Sequence, residues 1–177
     1  MQVSPCFFPE VKRIKPQIFS DSRGFFRETF RKPLYEAAGL PSDFVQDNHS
    51  FSKKGTIRGM HFQRLPGQAK LISVVSGKIF DVFVDIRPES PTFGQWQGVY
   101  LDAEQGDQIF IPIGFAHGFC VISDEAHLIY KVSTLYDPDE ERGFRYDDPA
   151  VGIEWPCVSP ILSQRDLSSP SLKEALL

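Results

Sequence analysis

Gly106-Asp-Gln-Ile-Phe-Ile-Pro112-Ile-Gly114-Phe-Ala-His117, read with the earlier Gly55-Thr-Ile-Arg-Gly-Met-His61-Phe-Gln63, decides the fold of this chain. The later stretch reads as strand, turn, strand. Gly106 opens a turn, Gln108–Ile111 forms a strand, and Pro112 and Gly114 bend the chain before His117. Strand signals also dominate around it. Lys70-Leu-Ile-Ser-Val-Val75, a turn at Ser76-Gly77-Lys78, and Ile79-Phe-Asp-Val-Phe-Val-Asp-Ile-Arg87 read as a hairpin. In its second arm Phe80, Val82, Val84 and Ile86 share one face. Ile79, Asp81, Phe83 and Asp85 share the other. A face mixing carboxylates with apolar residues suits either the lining of a ligand-binding barrel or a solvent-facing edge. Further strands are predicted near Phe25–Phe30, Gly98–Leu101, Gly118–Ile122 and His127–Ser133. Short helices are predicted at Pro33–Gly39, with proline at the start and glycine at the end, and at Ser171–Leu177.

The 177 residues suit one domain spanning 1–177, and 41% hydrophobic with 24% charged residues is a globular composition. Fourteen prolines and thirteen glycines supply the many turns that short antiparallel strands need. The net charge is -4 with no basic tract, which argues against nucleic-acid binding. No apolar run approaches a membrane span, and the N-terminus lacks the pattern of a signal peptide. Three scattered cysteines, Cys6, Cys120 and Cys157, read as reduced thiols, so a cytoplasmic protein is expected.

The two opening stretches together resemble the paired motifs of the cupin superfamily. These are antiparallel jelly-roll barrels whose histidines usually hold a metal ion. The expected fold is therefore all-β, with short peripheral helices. The first motif departs from the metal-binding form. Gln63 stands where a second histidine is expected, and Lys70 stands where a glutamate is expected before Gly77. Lysine adds positive charge where a divalent cation needs an anionic ligand. The barrel is expected to work without a metal, leaving His61 and His117 free for proton chemistry.

A longer set of pieces resembles the dTDP-4-dehydrorhamnose 3,5-epimerase family, of the pathway to dTDP-L-rhamnose. The pieces run almost the full chain: Asp21-x-Arg23-Gly24-x-Phe26-x-Glu28, Gln46-Asp47-Asn48-x-Ser50, Arg58-Gly59-x-His61-x-Gln63, Lys70-Leu71, Asp81-Val82-x-Val84-Asp85-x-Arg87, Ser90-Pro91-Thr92-Phe93-Gly94, Pro112-x-Gly114-Phe115-Ala116-His117-Gly118-Phe119, Tyr130, Tyr136 and Trp155-Pro156. One piece is weak evidence; their joint order and spacing are strong.

The resemblance implies a homodimeric epimerase with no metal and no redox cofactor, acting on a dTDP-4-dehydro-6-deoxyhexose. It implies that His61 is the base, Tyr130 the acid on the opposite face, Asp166 the carboxylate behind the histidine, and Lys70 the cation at the enolate, assisted by Arg58. It places Arg23, Glu28, Gln46, Asn48, His117, Tyr136 and Glu141 among the substrate contacts. Arg23 suits a pyrophosphate because guanidinium binds phosphate oxygens bidentately. At Arg165 the family often has lysine; the charge is kept and the donor geometry differs. Asp81 and Asp85 either orient a histidine or form salt bridges within the sheet. His49 and His127 have no constellation around them. Other readings are an epimerase acting at C3 or C5 alone, a related ketoisomerase, and a non-catalytic sugar-nucleotide-binding cupin. The combination of His61, Lys70, Tyr130 and Asp166 argues against the last, since a binding module needs no base and acid together.

Overall fold

The computed structural model describes residues 1–177. In chain order the elements are β1 (Gln2–Pro5), β2 (Lys12–Lys15), β3 (Ile18–Asp21), β4 (Gly24–Arg27), α1 (Lys32–Ala37), β5 (Gln46–Lys53), β6 (Ile57–Gln63), β7 (Lys70–Ser76), β8 (Lys78–Asp85), β9 (Trp96–Asp102), β10 (Gln108–Ile111), β11 (Phe115–Val121), β12 (Glu125–Val132), β13 (Glu141–Gly143), α2 (Gln164–Leu167) and α3 (Leu172–Ala175). A six-stranded sheet, β1-β2-β10-β7-β12-β5, faces a five-stranded one, β13-β6-β11-β8-β9, and β3-β4 stands apart as a two-stranded hairpin. All pairings between strands are antiparallel. This is the jelly-roll barrel expected of the sequence.

The predicted hairpin of Lys70–Val75 with Ile79–Arg87 does not form. β7 pairs with β10 and β12, whereas β8 pairs with β11 and β9 in the opposite sheet. The turn was read correctly, but it carries the chain across the sandwich. Gly77 makes the crossing with φ of 81°, and a Cβ there would lie 2.1 Å from the Glu125 carbonyl oxygen. Only glycine fits.

The period-two pattern of β8 is explained by burial on both faces. Ile79 and Phe83 join Phe8, Ile72, Ile109, Phe119 and Leu128 in the core between the sheets. Phe80, Val82, Val84 and Ile86 join Ile57, Met60, Phe144 and Leu172 in a second core outside the five-stranded sheet. The C-terminal segment covers that outer face, with Trp96 and Trp155 packed against it. Of the two readings left open for β8, barrel lining is therefore correct: Asp81 and Asp85 are fully buried. A smaller cluster, with Tyr35 and Leu40 on Leu71 and Phe110, seats α1 on the outer face of the six-stranded sheet.

The helices are short, as predicted. α1 starts one residue before Pro33 and ends ahead of Gly39, whose φ of 72° breaks it. α3 begins after Ser171, which forms a reciprocal capping box with Glu174. No helix is long and apolar enough to cross a membrane.

Candidate active site

Alternation along the strands sends one set of polar side chains into the barrel. On β6, Ile57, Met60 and Phe62 face the outer core, which leaves Arg58, His61 and Gln63 on the interior side. The count is shifted at Gly59, where φ is 130° and an added Cβ would sit 2.6 Å from Gly118 Cα. His117 on β11 is the cross-strand partner of His61, and Glu141 on β13 is the partner of Gln63. In the facing sheet Ile72 and Val74 point inward on β7, so Lys70 does too. Tyr130 on β12 packs on the interior core and lies opposite Asn48 on β5, with Gln46 two residues along.

His61 donates through Nε2 to Asp166 Oδ1 at 2.7 Å, which leaves Nδ1 with the free lone pair. Asp166 comes from far along the chain. Ile161 hydrogen-bonds to Gly55 and Ile57, docking the C-terminal segment beside β6. Ser163 then caps α2, its hydroxyl accepting from the Asp166 backbone N–H at 3.1 Å. Ser163-x-x-Asp166 is an N-cap pattern legible in the sequence, and it is what orients the carboxylate. Burial alone raises the Asp166 pKa. Hydrogen bonds from His61, the Ser163 hydroxyl and the Gly59 backbone N–H outweigh it and hold the group below its ordinary value. The aspartate therefore stays charged and accepts from the ring at Nε2, fixing the orientation of His61.

Lys70 has no comparable partner. Burial pushes its pKa down to about 8, while Glu141 and Asp81 act in the opposite sense without cancelling the effect. At pH 7 it is still protonated roughly ten to one. A buried, poorly compensated ammonium is a cation held ready for developing negative charge. Asp81 is hydrogen-bonded to His117 Nε2 at 2.8 Å, and its second oxygen is buried without a partner. Asp85 instead binds Arg87, Ser90 and Thr92. Of the two roles predicted for these carboxylates, Asp81 takes the first, bonding a histidine; Asp85 forms a salt bridge, but to Arg87 beyond the strand end rather than within the sheet.

Tyr130 is part-buried. Burial raises its phenol pKa, Arg58 lowers it and Glu141 raises it further, so the hydroxyl is protonated at neutral pH. Arg58 is held by the Ser52 hydroxyl and the Phe51 carbonyl. Glu141 accepts from Arg165 at 2.7 Å and from the exposed Tyr136, which hold it below its ordinary pKa against burial. Gln46 donates to Asn48 and accepts from the Tyr136 backbone N–H. A cleft of about 430 Å³ opens along Arg58, His61, Arg165 and Asp166.

Two predicted residues lie elsewhere. Arg23 is at the tip of the β3-β4 hairpin, its side chain 88% exposed and paired only with Asp21. Glu28 pairs with Arg31. His49 and His127 hydrogen-bond each other at 2.9 Å on the sheet exterior. The residues that sequence reading missed are supports: Ser163 for Asp166, Ser52 for Arg58, and Gln68, which donates to Gln63.

Fold and site together define a cupin-type barrel with a histidine–aspartate pair, a buried lysine and a tyrosine in its mouth. Residues 6–174 match the family model described as dTDP-4-dehydrorhamnose 3,5-epimerase. The chain belongs to that family. It is 48% identical to the dTDP-4-dehydrorhamnose 3,5-epimerase of Shigella flexneri, over 99% of this chain and 98% of that one. It is 42% identical to the dTDP-4-dehydrorhamnose 3-epimerase of Streptomyces niveus, over 99% and 86%. The crystal structure of the dTDP-6-deoxy-D-glucose-3,5-epimerase of Legionella pneumophila, in complex with dTDP-4-keto-L-rhamnose, superposes with a TM-score of 0.94 at 45% identity, covering 97% of this chain and 93% of that one.

Proposed function

We propose that this chain is an isomerase that inverts C3 and C5 of dTDP-4-dehydro-6-deoxy-D-glucose, giving dTDP-4-dehydro-L-rhamnose. The observation that carries the reading is the His61–Asp166 pair, set on the same barrel interior that receives a protonated tyrosine and a buried ammonium from the facing sheet. The C4 ketone acidifies the C–H bonds beside it by spreading charge onto its oxygen. His61 removes the proton, and Asp166 stabilises the imidazolium that results. Lys70, with Arg58, offsets the enolate charge. Tyr130 returns a proton to the opposite face. Gln46, Asn48, His117, Tyr136, Glu141 and Arg165 hold the sugar nucleotide. No step calls for a metal or redox cofactor, because Lys70 supplies the charge.

The deciding experiment is incubation with dTDP-4-dehydro-6-deoxy-D-glucose in deuterated buffer containing a strong chelator, followed by NMR. Label at both C3 and C5, with inversion at both, is expected. Label at C3 alone would make this a single-centre enzyme, as the Streptomyces niveus relative is named. No label at either carbon would leave only a binding module.

The acting unit in this reading is a homodimer. The β3-β4 hairpin exposes Phe19, Phe25 and Phe26 at 53%, 58% and 64%, a patch that calls for a partner. It also holds Arg23 at an exposed tip, with Glu28 just past its second strand, so a second copy would receive Arg23. Pyrophosphate needs local positive charge on a chain of net charge -4. Charge-assisted hydrogen bonds contribute roughly 1.5–3 kcal/mol each. Arg23→Ala should therefore raise the Kd for dTDP about tenfold or more. Mixing it with His61→Ala should restore activity through hybrid dimers that hold one intact site. Unchanged dTDP affinity by calorimetry removes Arg23 from the site.

Lys70 sets an alkaline limit on the rate. As pH rises through about 8 the ammonium loses its proton. Above that point kcat/KM should fall about tenfold per pH unit. Stability moves the other way. The unfolded chain protonates this lysine more readily, so its share of stability rises between about pH 8 and its unfolded pKa. Lys70→Arg should keep the charge and remove the alkaline limb. A limb unchanged in that variant assigns it to another group.

A further inference from the structure

The β3-β4 hairpin pairs only with itself, and no backbone hydrogen bond ties it to the barrel. One side-chain hydrogen bond does. Arg27, the last residue of β4, donates through Nη1 to the Ala103 carbonyl at 2.9 Å. Ala103 begins the turn between β9 and β10, which the Gly106 N–H closes by donating to the Asp102 carbonyl. The half-buried guanidinium lies over Gly106, where φ is 68° and an added Cβ would sit 2.7 Å from Arg27 Cζ. Glycine at that turn leaves room for it. The same guanidinium stacks 5.0 Å from the ring centroid of Phe25, two residues back on the same face of β4. Just beyond, the Thr29 carbonyl accepts from the Tyr35 hydroxyl at 3.0 Å and from Nε2 of the buried Gln108 at 2.8 Å. The foot of the hairpin is therefore fixed, and Arg27 is the last tie before the chain leaves the barrel.

We propose that Arg27 is a positioning residue: seated over Gly106, it aims the hairpin so that Arg23 meets the pyrophosphate of a dTDP-sugar in the partner's barrel. The proposal rests on Arg23 acting in a second copy. Arg23 stands one short strand from Arg27. A strand rises about 3.4 Å per residue, so the tip lies roughly 13 Å from the pivot, and a swing of about 20° moves it by about 4–5 Å. That displacement exceeds the tolerance of a hydrogen bond. A hairpin free to swing must also be ordered again each time ligand binds, which weakens binding without touching the chemistry.

The test uses the full-length protein, with dTDP in calorimetry and the sugar nucleotide in steady-state kinetics. Arg27→Met keeps the stem and deletes the donors. Its Kd for dTDP and its KM should rise about three- to tenfold, while kcat at saturating substrate changes by less than about twofold. Arg27→Lys, which keeps a charged donor, should lie between it and the parent. The Arg23→Ala/Arg27→Met double variant should bind dTDP no more weakly than Arg23→Ala, because a tie that acts only through Arg23 has nothing left to aim. Mixing Arg27→Met with His61→Asn should restore the parental KM, since in the hybrid dimer the barrel with His61 receives an intact hairpin. A loss that adds to that of Arg23→Ala gives Arg27 a role of its own and overturns the proposal. So does parental dTDP affinity in Arg27→Met, or its conversion to a monomer by light scattering. Unchanged affinity in Arg23→Ala itself defeats the reading of Arg23 first, and the proposal with it.

Discussion

Replacing His61 by asparagine should abolish solvent deuterium exchange at both C3 and C5, lowering turnover by roughly 10²–10⁴-fold, the range for losing a general base. Asparagine is the informative substitution because of what lies behind the ring. Asp166 is only 3% exposed and accepts from His61 at 2.7 Å. Alanine would leave that carboxylate buried without its partner, and instability could then pass for lost catalysis. The asparagine amide can still donate to it. Melting temperature and dTDP affinity should therefore stay near the parent values while exchange disappears. Exchange that persists at either carbon in this variant would show that another group removes that proton, and the assignment of His61 as the base for both carbons would fail.

What the sequence could and could not disclose follows from the range of the interactions involved. The turn at Gly77 is local chemistry, and reading it as a turn was sound. Which strands then pair is not local. β7 and β8 are consecutive, yet each takes partners from much later in the chain, and no feature of either strand names them. Alternation sorted the two faces of β8 but left open whether the carboxylate-bearing one lined the barrel or met solvent; burial of Asp81 and Asp85 decides it. Burial of the other face was not legible, because the cover is the C-terminal segment, bridged to Thr56 from Ile161.

The site divides along the same line. His61, His117 and Gln63 share one pair of strands, and motif spacing found them. Asp166 is 105 residues from His61, and only the family resemblance tied the two together. Arg23 shows the opposite limit. Its chemistry suits a pyrophosphate, but a sequence has no way to say in which copy of the chain a residue acts. Its 88% exposure on a hairpin rich in phenylalanine puts that question to the assembly. Lys70 joins the two levels. Its place in the motif is what led to the expectation of no metal, and its burial is what the proposed reaction would use for the enolate charge. A metal ion and a lysine both bring positive charge to such an interior, but the lysine needs no ligand set.

Tyr130→Phe should produce a loss of a different kind. The substitution keeps the ring and its packing on the interior core and deletes only the hydroxyl. His61 can still take the proton, Lys70 can still face the enolate, and His61 can hand deuterium back to the face it came from. Exchange with retained configuration should survive in part. Inverted product should fall by roughly 10²-fold or more, the usual effect of losing a general acid. The phenol is suited to that role because burial and Glu141 raise its pKa against the pull of Arg58. In the proposed reaction it would hold its proton until the enolate, a stronger base than water, is formed. Following label and configuration at C3 and C5 separately by NMR distinguishes the two variants: one loses exchange, the other loses inversion. If Tyr130→Phe abolishes exchange as completely as His61→Asn, the phenol is needed to reach the enolate as well as to quench it. If it epimerises normally, the acid on the opposite face is water or another side chain, and Tyr130 is only part of the wall.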